Sequence, residues 1–366
     1  MHDKPGAIPR QLIVEMIEAG YITGALREAL QPSSLDLQIT DEVYRMRGSY
    51  LPKKQERIQD VVSHGSLYRH PLDRPLEVDG TYLVRLAESL ALPPGLHASA
   101  TSKSSSGRIN LRTRLLADCV PRFDCVPRAY TGSLWLEIIP KSFPVQLHPG
   151  DRLNQLRFFH GEARLTNLEH RINYDKFKLL RNTLGQPIPT GDETVTGGIS
   201  MTVDLSSEGI IGWRANLPSW NVLDTARFDH APADFFEPIQ TPKSGELLLR
   251  QGSFYILATK ERILIPPTLA AEMAAYDPTI GEFRSHYAGF FDPGFGWHAE
   301  VVKQGQQAVL EVSTHGHDCM LRDGQPICLM VFERLLMRPD VIYGQALDSH
   351  YVGTIGPRLA KWFKMV

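Results

Sequence analysis

The sequence predicts a mainly β protein built from two tandem copies of one domain, with a short helix at its start. Three observations point there. Most segments are short, apolar or alternating runs between Pro and Gly, such as YLVRLAESLAL (82–92), SLWLEII (133–139), FYILAT (254–259) and AVLEVS (308–313), which is the pattern of strands. They are too short and too evenly spaced for a βαβ sheet. The chain also repeats itself: SSLDL (33–37) parallels MTVDL (201–205), GTYLVRLAESLALPP (80–94) parallels GSFYILATKERILIPP (252–267), LEII around Glu137 parallels LEVS around Glu311, and LHPGDRLNQLRFF (147–159) parallels LRDGQPICLMVFE (321–333). The matches keep their order, which chance would not preserve, and they mark a duplicated unit. Finally, 366 residues exceed one ordinary core and suit two domains.

Taken in order, the chain opens with a helix that has Pro9 in its first turn, Leu12, Ile13, Met16 and Ile17 on one face, and Gly20 as its stop. The first copy is expected over 1–190. A polar, turn-rich joint, TGDETVTGG (190–198), precedes the second copy over 199–366.

Composition narrows the function classes. A net charge of −2 provides no global positive field to attract a nucleic-acid polymer or an anionic membrane, so phosphate recognition has to be local. Four cysteines, Cys119, Cys125, Cys319 and Cys328, contain no CxxC pair and make neither a disulfide framework nor a zinc framework. The start, MHDKPGAIPRQL, has no apolar core of a signal peptide, and no run of about 18 apolar residues follows. A soluble cytoplasmic protein is the expectation.

Two stretches carry candidate chemistry. In TSKSSSGRINLRTR (101–114), Ser104, Ser105 and Ser106 offer hydroxyls, Gly107 lets backbone N–H groups approach a ligand, and Lys103 and Arg108 supply fixed cations. That set suits a polyphosphate, although a solvated polar loop has the same composition. Glu137 sits in W-L-E-I-I, where an ionised carboxylate is costly unless paired or used. It is either a general base or a residue on the polar face of a strand.

Together QPSSLDL (31–37), SKSSSGR (102–108), FDCVPRAYTGSLWLEI (123–138) and HPGDRLNQLRF (148–158) resemble the deoxycytidine triphosphate (dCTP) deaminases, relatives of the trimeric dUTPases. The duplicated layout with GEFRSHYAGFFDPGFG (281–296) resembles the two-copy bacterial form, so the likeness covers essentially the whole chain. It implies two dUTPase-like distorted β-barrels and the hydrolysis of dCTP to dUTP and ammonia without catalytic zinc, with Mg²⁺ travelling on the triphosphate. It also implies a homo-oligomer, with a trimer favoured. The segment His298-Ala299-Glu300 imitates part of a zinc-deaminase motif, but no P-C-x-x-C follows it.

The resemblance also implies roles. Glu137 matches the general base, Ser104 a residue that holds the attacking water, and Arg108 a catalytic neighbour. Lys103, Ser104 and Ser105, within the loop that runs on through Ser106 and Gly107, match residues that hold phosphates. Asp124 matches the acid on the sugar, although the repeated DCVPR (118–122 and 124–128) leaves Asp118 as an alternative register. Trp135, Leu136 and Glu137 would present main-chain groups to the pyrimidine edge, and Gln155 matches a glutamine of the closing strand. The end of the chain resembles a tail that closes over the triphosphate, with Tyr351 and Lys361, and with Thr354 where a glutamine is expected. The basic run NYDKFKLLR (173–181) competes for that role. The second copy keeps Glu311 and Asp292 but has AAYDPTI (274–280) in place of the serines, which implies a structural copy. Rival readings are a bifunctional enzyme that also hydrolyses dUTP to dUMP, a dUTPase proper, and a non-catalytic nucleotide-binding protein.

Overall fold

The computed structural model describes residues 4–365, apart from 190, 192–196, 218, 276–282, 287–288, 298–304, 315, 346–350, 352 and 354. Its contacts divide into two units. The first contains Met1–Glu162, Leu217–Phe235 and Ala360–Val366, and the second contains Ala163–Asn216 and Phe236–Leu359. Two stretches that follow the first copy in sequence, 217–235 and 360–366, are therefore built into the first unit.

The helix read from the N-terminal pattern is α1, Arg10–Glu18, entered through Pro9 and buried through Ile13 and Met16. The strands of the first unit that frame the site are β1 Leu35–Met46, β2 Tyr82–Ala91, β3 Leu96–Ser102, β4 Leu111–Ala117, β5 Thr131–Pro140 and β6 Arg152–His160. They form one antiparallel, barrel-like sheet in the order β4-β5-β2-β1-β6-β3. Leu115, Leu134, Leu136, Ile138 and Val84 are wholly buried, the alternate positions that a pleated strand turns inward. A carboxyl also lies inside: Glu88 of β2 is wholly buried and accepts from the Gln38 backbone N–H at 3.1 and 3.2 Å and from its side-chain amide at 3.3 Å.

Two helices were not expected from the sequence pattern. One, α2 (Ile58–Gly65), buries Ile58, Val61 and Val62 with Trp135, Leu83, Leu116 and Met46. The other, α4 (Asn167–Phe177), starts with a capping box in which Thr166 and Glu169 satisfy each other's backbone N–H. Between them in sequence lies α3, the single turn Ser104–Gly107.

The second unit repeats the pairing of the first. The strands that correspond are β7 Ile199–Thr202, β8 Phe254–Ile263, β9 Leu269–Ala275, β10 Phe283–His286, β11 Gln306–Thr314 and β12 Pro326–Arg334. As β5 lies between β2 and β4, so β11 lies between β8 and β10. As β6 joins β1 and β3, so β12 joins β7 and β9. The repeat in the sequence is thus a repeat of strand order. No helix among the described residues is long and apolar enough to cross a membrane.

Candidate functional site

β3 ends at Ser102, Lys103 turns the chain, and Ser104–Gly107 form one helical turn. Short side chains allow this because the turn is pinned from within. Ser102 Oγ lies 2.7 Å from Thr113 Oγ1, and Ser106 Oγ donates to the Leu153 carbonyl at 2.9 Å. The three serines therefore differ. Ser106 is wholly buried as an anchor, Ser105 is buried, and Ser104 is half-buried. Gly107 and Arg108 are buried at the end of the turn.

Lys103 Nζ is ion-paired with Asp36 Oδ2, which also accepts from Gln31 at 3.2 Å. Gln155 lies in the sheet between Asp36 and Thr101. Lys361 belongs to the same unit. Burial pushes its ammonium down, and Lys103 adds to that, while Asp151 and Asp36 oppose it. Two cations thus lie in electrostatic range of each other beside the serine turn.

The tail that brings Lys361 there is held by the 217–235 arm. His230 N–H donates to the Trp362 carbonyl at 3.1 Å, and Lys364 N–H donates to the His230 carbonyl at 3.0 Å. Phe235 packs edge-on against both Phe363 and Phe143. The arm is itself fixed by the parallel pair Val145–Gln146 with Leu223–Asp224 and by Thr225 Oγ1 donating to Asp151 at 2.6 Å.

Glu137 forms a second group. It is 2% exposed and lies directly across from Arg114 in the β4–β5 ladder. Arg114 Nε donates to Glu137 Oε1 at 3.0 Å and its Nη2 donates to the same oxygen. The guanidinium is stacked 3.6 Å from the Phe123 ring centroid and reaches Ser49 Oγ at 2.9 Å. Nearby, the Asp124 carboxyl is pushed up to about 7 by burial, with the Leu115 N–H and Arg114 acting against the shift and Glu137 adding to it.

Asp124 is tied back to β4: its Oδ1 accepts from Leu115 N–H at 2.7 Å, with φ at 58°. The alternative, Asp118, accepts from Ile58 N–H at 2.8 Å and from Ser133 at 3.1 Å, anchoring the start of α2. Trp135, Leu136 and Glu137 lie where β5 is paired with β2 on one side and β4 on the other. Tyr351 lies in the second unit, where its carbonyl accepts from Gln306. The basic run 173–181 is likewise in that unit, as the end of α4 and the short strand Leu180–Arg181. Glu311 is buried on β11. Thr354, His298-Ala299-Glu300 and residues 276–280 of AAYDPTI lie outside the described residues.

Sequence reasoning missed Asp36, Arg114 and the 217–235 arm. Asp36 had a signal, since it is the acid repeated in SSLDL and MTVDL. Arg114 had none, because its partner is fixed only by strand register. All four cysteines are free.

Two family models match the chain: the 2'-deoxycytidine 5'-triphosphate deaminase N-terminal domain over residues 4–162 and the C-terminal domain of the same family over 176–363. A curated "dCTP deaminase, dUMP-forming" of Coprothermobacter proteolyticus is 30% identical over 131 residues, 35% of this chain and 64% of that protein. A dCTP deaminase of Haloarcula marismortui is 30% identical over 133 residues, 35% of this chain and 63% of its own length. The matched part thus spans just under two thirds of these relatives. The crystal structure of 2'-deoxycytidine 5'-triphosphate deaminase from Agrobacterium tumefaciens superposes with a TM-score of 0.84 at 35% identity, over 92% of this chain and 97% of that one. With both halves matched in order, the chain belongs to the 2'-deoxycytidine 5'-triphosphate deaminase family.

Proposed function

We propose that this chain hydrolyses dCTP to dUTP and ammonia. The observation that carries this reading is the convergence of Lys103 and Lys361 at the serine turn around Asp36, in a chain whose family is defined by a nucleoside triphosphate. A polyanion between the two cations offsets the cost that Lys103 adds to charging Lys361. dCTP arrives as its Mg²⁺ complex, with the metal carried by the phosphates.

In this reading Glu137 takes a proton from a water that attacks C4 of the cytosine ring, and Ser104 steadies that water. That proton passes to the ring nitrogen N3, and the remaining hydroxyl proton on C4 passes to the departing amine, so that the C4 carbonyl forms as the C4–N4 bond breaks and ammonia leaves. Arg108 orients the site or meets phosphate. Zinc is not part of the proposal, because the cysteines lack the P-C-x-x-C spacing of zinc deaminases. A homotrimer in the cytoplasm is proposed on the resemblance alone.

A second reading is favoured by the dUMP-forming relative: dUTP is hydrolysed further to dUMP and pyrophosphate. One assay distinguishes the two. Purified protein with dCTP and Mg²⁺ is followed for ammonia, dUTP, dUMP and pyrophosphate. Ammonia with dUTP supports the first reading and pyrophosphate the second, whereas an absence of ammonia rejects both.

A further inference from the structure

We infer that Arg114 is the positioning residue of Glu137: it occupies Oε1 and leaves Oε2 as the oxygen that takes the proton. This rests on the reading of Glu137 as the general base.

An arginine facing a carboxylate usually forms a fork, one N–H to each oxygen. Here Nε and Nη2 both converge on Oε1, and no described residue donates to Oε2. The carboxylate is therefore held in one orientation with a single oxygen open. A general base has to be within hydrogen-bond reach of the proton it removes, and a side chain free to rotate spends most of its time elsewhere.

Arg114 is itself held in place by its contacts. Its guanidinium lies over the Phe123 ring at 3.6 Å, and its second Nη2 contact, Ser49 Oγ at 2.9 Å, fixes the plane. Phe123, Ser49 and the strand register thus hold the arginine, and the arginine holds the base. The guanidinium also acts on Asp124, opposing the upward push that burial and Glu137 give that carboxyl. One cation thereby separates the duties of two neighbouring carboxyls: Asp124 stays committed to the Leu115 N–H, and Glu137 stays oriented for substrate.

Steady-state ammonia release from dCTP by full-length protein tests this. Arg114→Ala should lower kcat by about 10²-fold while the KM for dCTP stays within about threefold. Arg114→Lys, which keeps the charge and one donor, should recover at least about tenfold of that loss. In the Glu137→Gln background Arg114→Ala should cost almost nothing more, because its effect runs through the lost base. A kcat within about twofold of wild type in Arg114→Ala overturns the inference, as does a loss confined to KM or a full additive loss in the double variant. If Arg114→Ala does not fold, the Lys variant and its Glu137→Gln double carry the test. Wild-type protein that releases no ammonia rejects the reading of the site and this inference with it, whereas an active wild type with an indifferent Arg114 rejects the inference alone.

Discussion

His148 Nε2 lies 2.7 Å from Asp224 Oδ1, tying the turn before β6 to an arm 76 positions later in the chain. The contact does not stand alone. Asp224 is capped by the Ala226 N–H at 2.9 Å, and the next residue, Thr225, reaches Asp151, so one corner of the first unit is closed by the arm.

Asp224→Asn should therefore loosen the arm in a pH-dependent way. Burial pushes the Asp224 carboxyl up, but the Ala226 N–H, the His148 contact and the charges of His148 and His230 outweigh it, and the net direction is down. A depressed acid stabilises the fold above its unfolded value, 3.8, and that stability is lost as pH falls through the folded value. Melting near pH 7 should show the variant lower by about 2–4 °C, with the gap closing below about pH 4. An equal gap at both pH values counts against the Asp224 carboxylate as its cause.

Glu88 should show the opposite slope. Its carboxyl is pushed from 4.5 up to about 7 by burial, against the Gln38 hydrogen bonds. The folded state therefore favours the protonated form. That stabilisation is complete below about pH 4.5, declines as pH rises, and is gone above about pH 7. Glu88→Gln removes the titration, so the stability of wild type relative to the variant should fall by up to about 3 kcal/mol between pH 4.5 and pH 8. Urea denaturation at the two pH values measures this, and a constant difference refutes it.

Glu137→Gln keeps the shape of the side chain but cannot accept a proton. Turnover of dCTP should fall by about 10²-fold or more while dCTP still binds, which rapid-quench turnover and equilibrium binding measure together. If Glu311→Gln is the crippling change instead, the base has been assigned to the wrong copy.

The serine turn should separate rate from affinity. Ser104→Ala should lower kcat by the equivalent of about 2–4 kcal/mol, the scale of one positioned donor in a closed site. Lys103→Ala and Lys361→Ala should mainly raise KM, each by roughly 1.5–3 kcal/mol in affinity. Wild-type kinetics in Ser104→Ala would leave the three serines as loop anchors, the role Ser106 already has.

The strands were legible because each carries its own period. YLVRLAESLAL reads as β2 without help from any other segment, and its repeat reads as β8. α2 was legible in principle, since Ile58, Val61, Val62 and Gly65 follow helical spacing, but eight residues between loops make a weak signal. α4 opens with T-N-L-E, a capping-box pattern, but it buries only His170 and Tyr174, so no apolar stripe marks it as a helix. The serine turn and Glu137 were legible as residue types, whereas the lock on Glu137 was not. Arg114 meets it only because the turn between β4 and β5, with Cys119, Asp124 and Ala129 at positive φ, sets that register. The arm had no local signal for its place, because the contacts that seat it on the first unit, with Val145, Gln146, Asp151 and Trp362, are with distant parts of the chain.

The first unit needs residues 143–151, 223–235 and 362–364 together, and this has a consequence for biosynthesis. The ribosome makes the N-terminal strands early, but the residues that seat Lys361 come after the whole second unit. The unit begun first is therefore completed only after the strands of the second unit have been made.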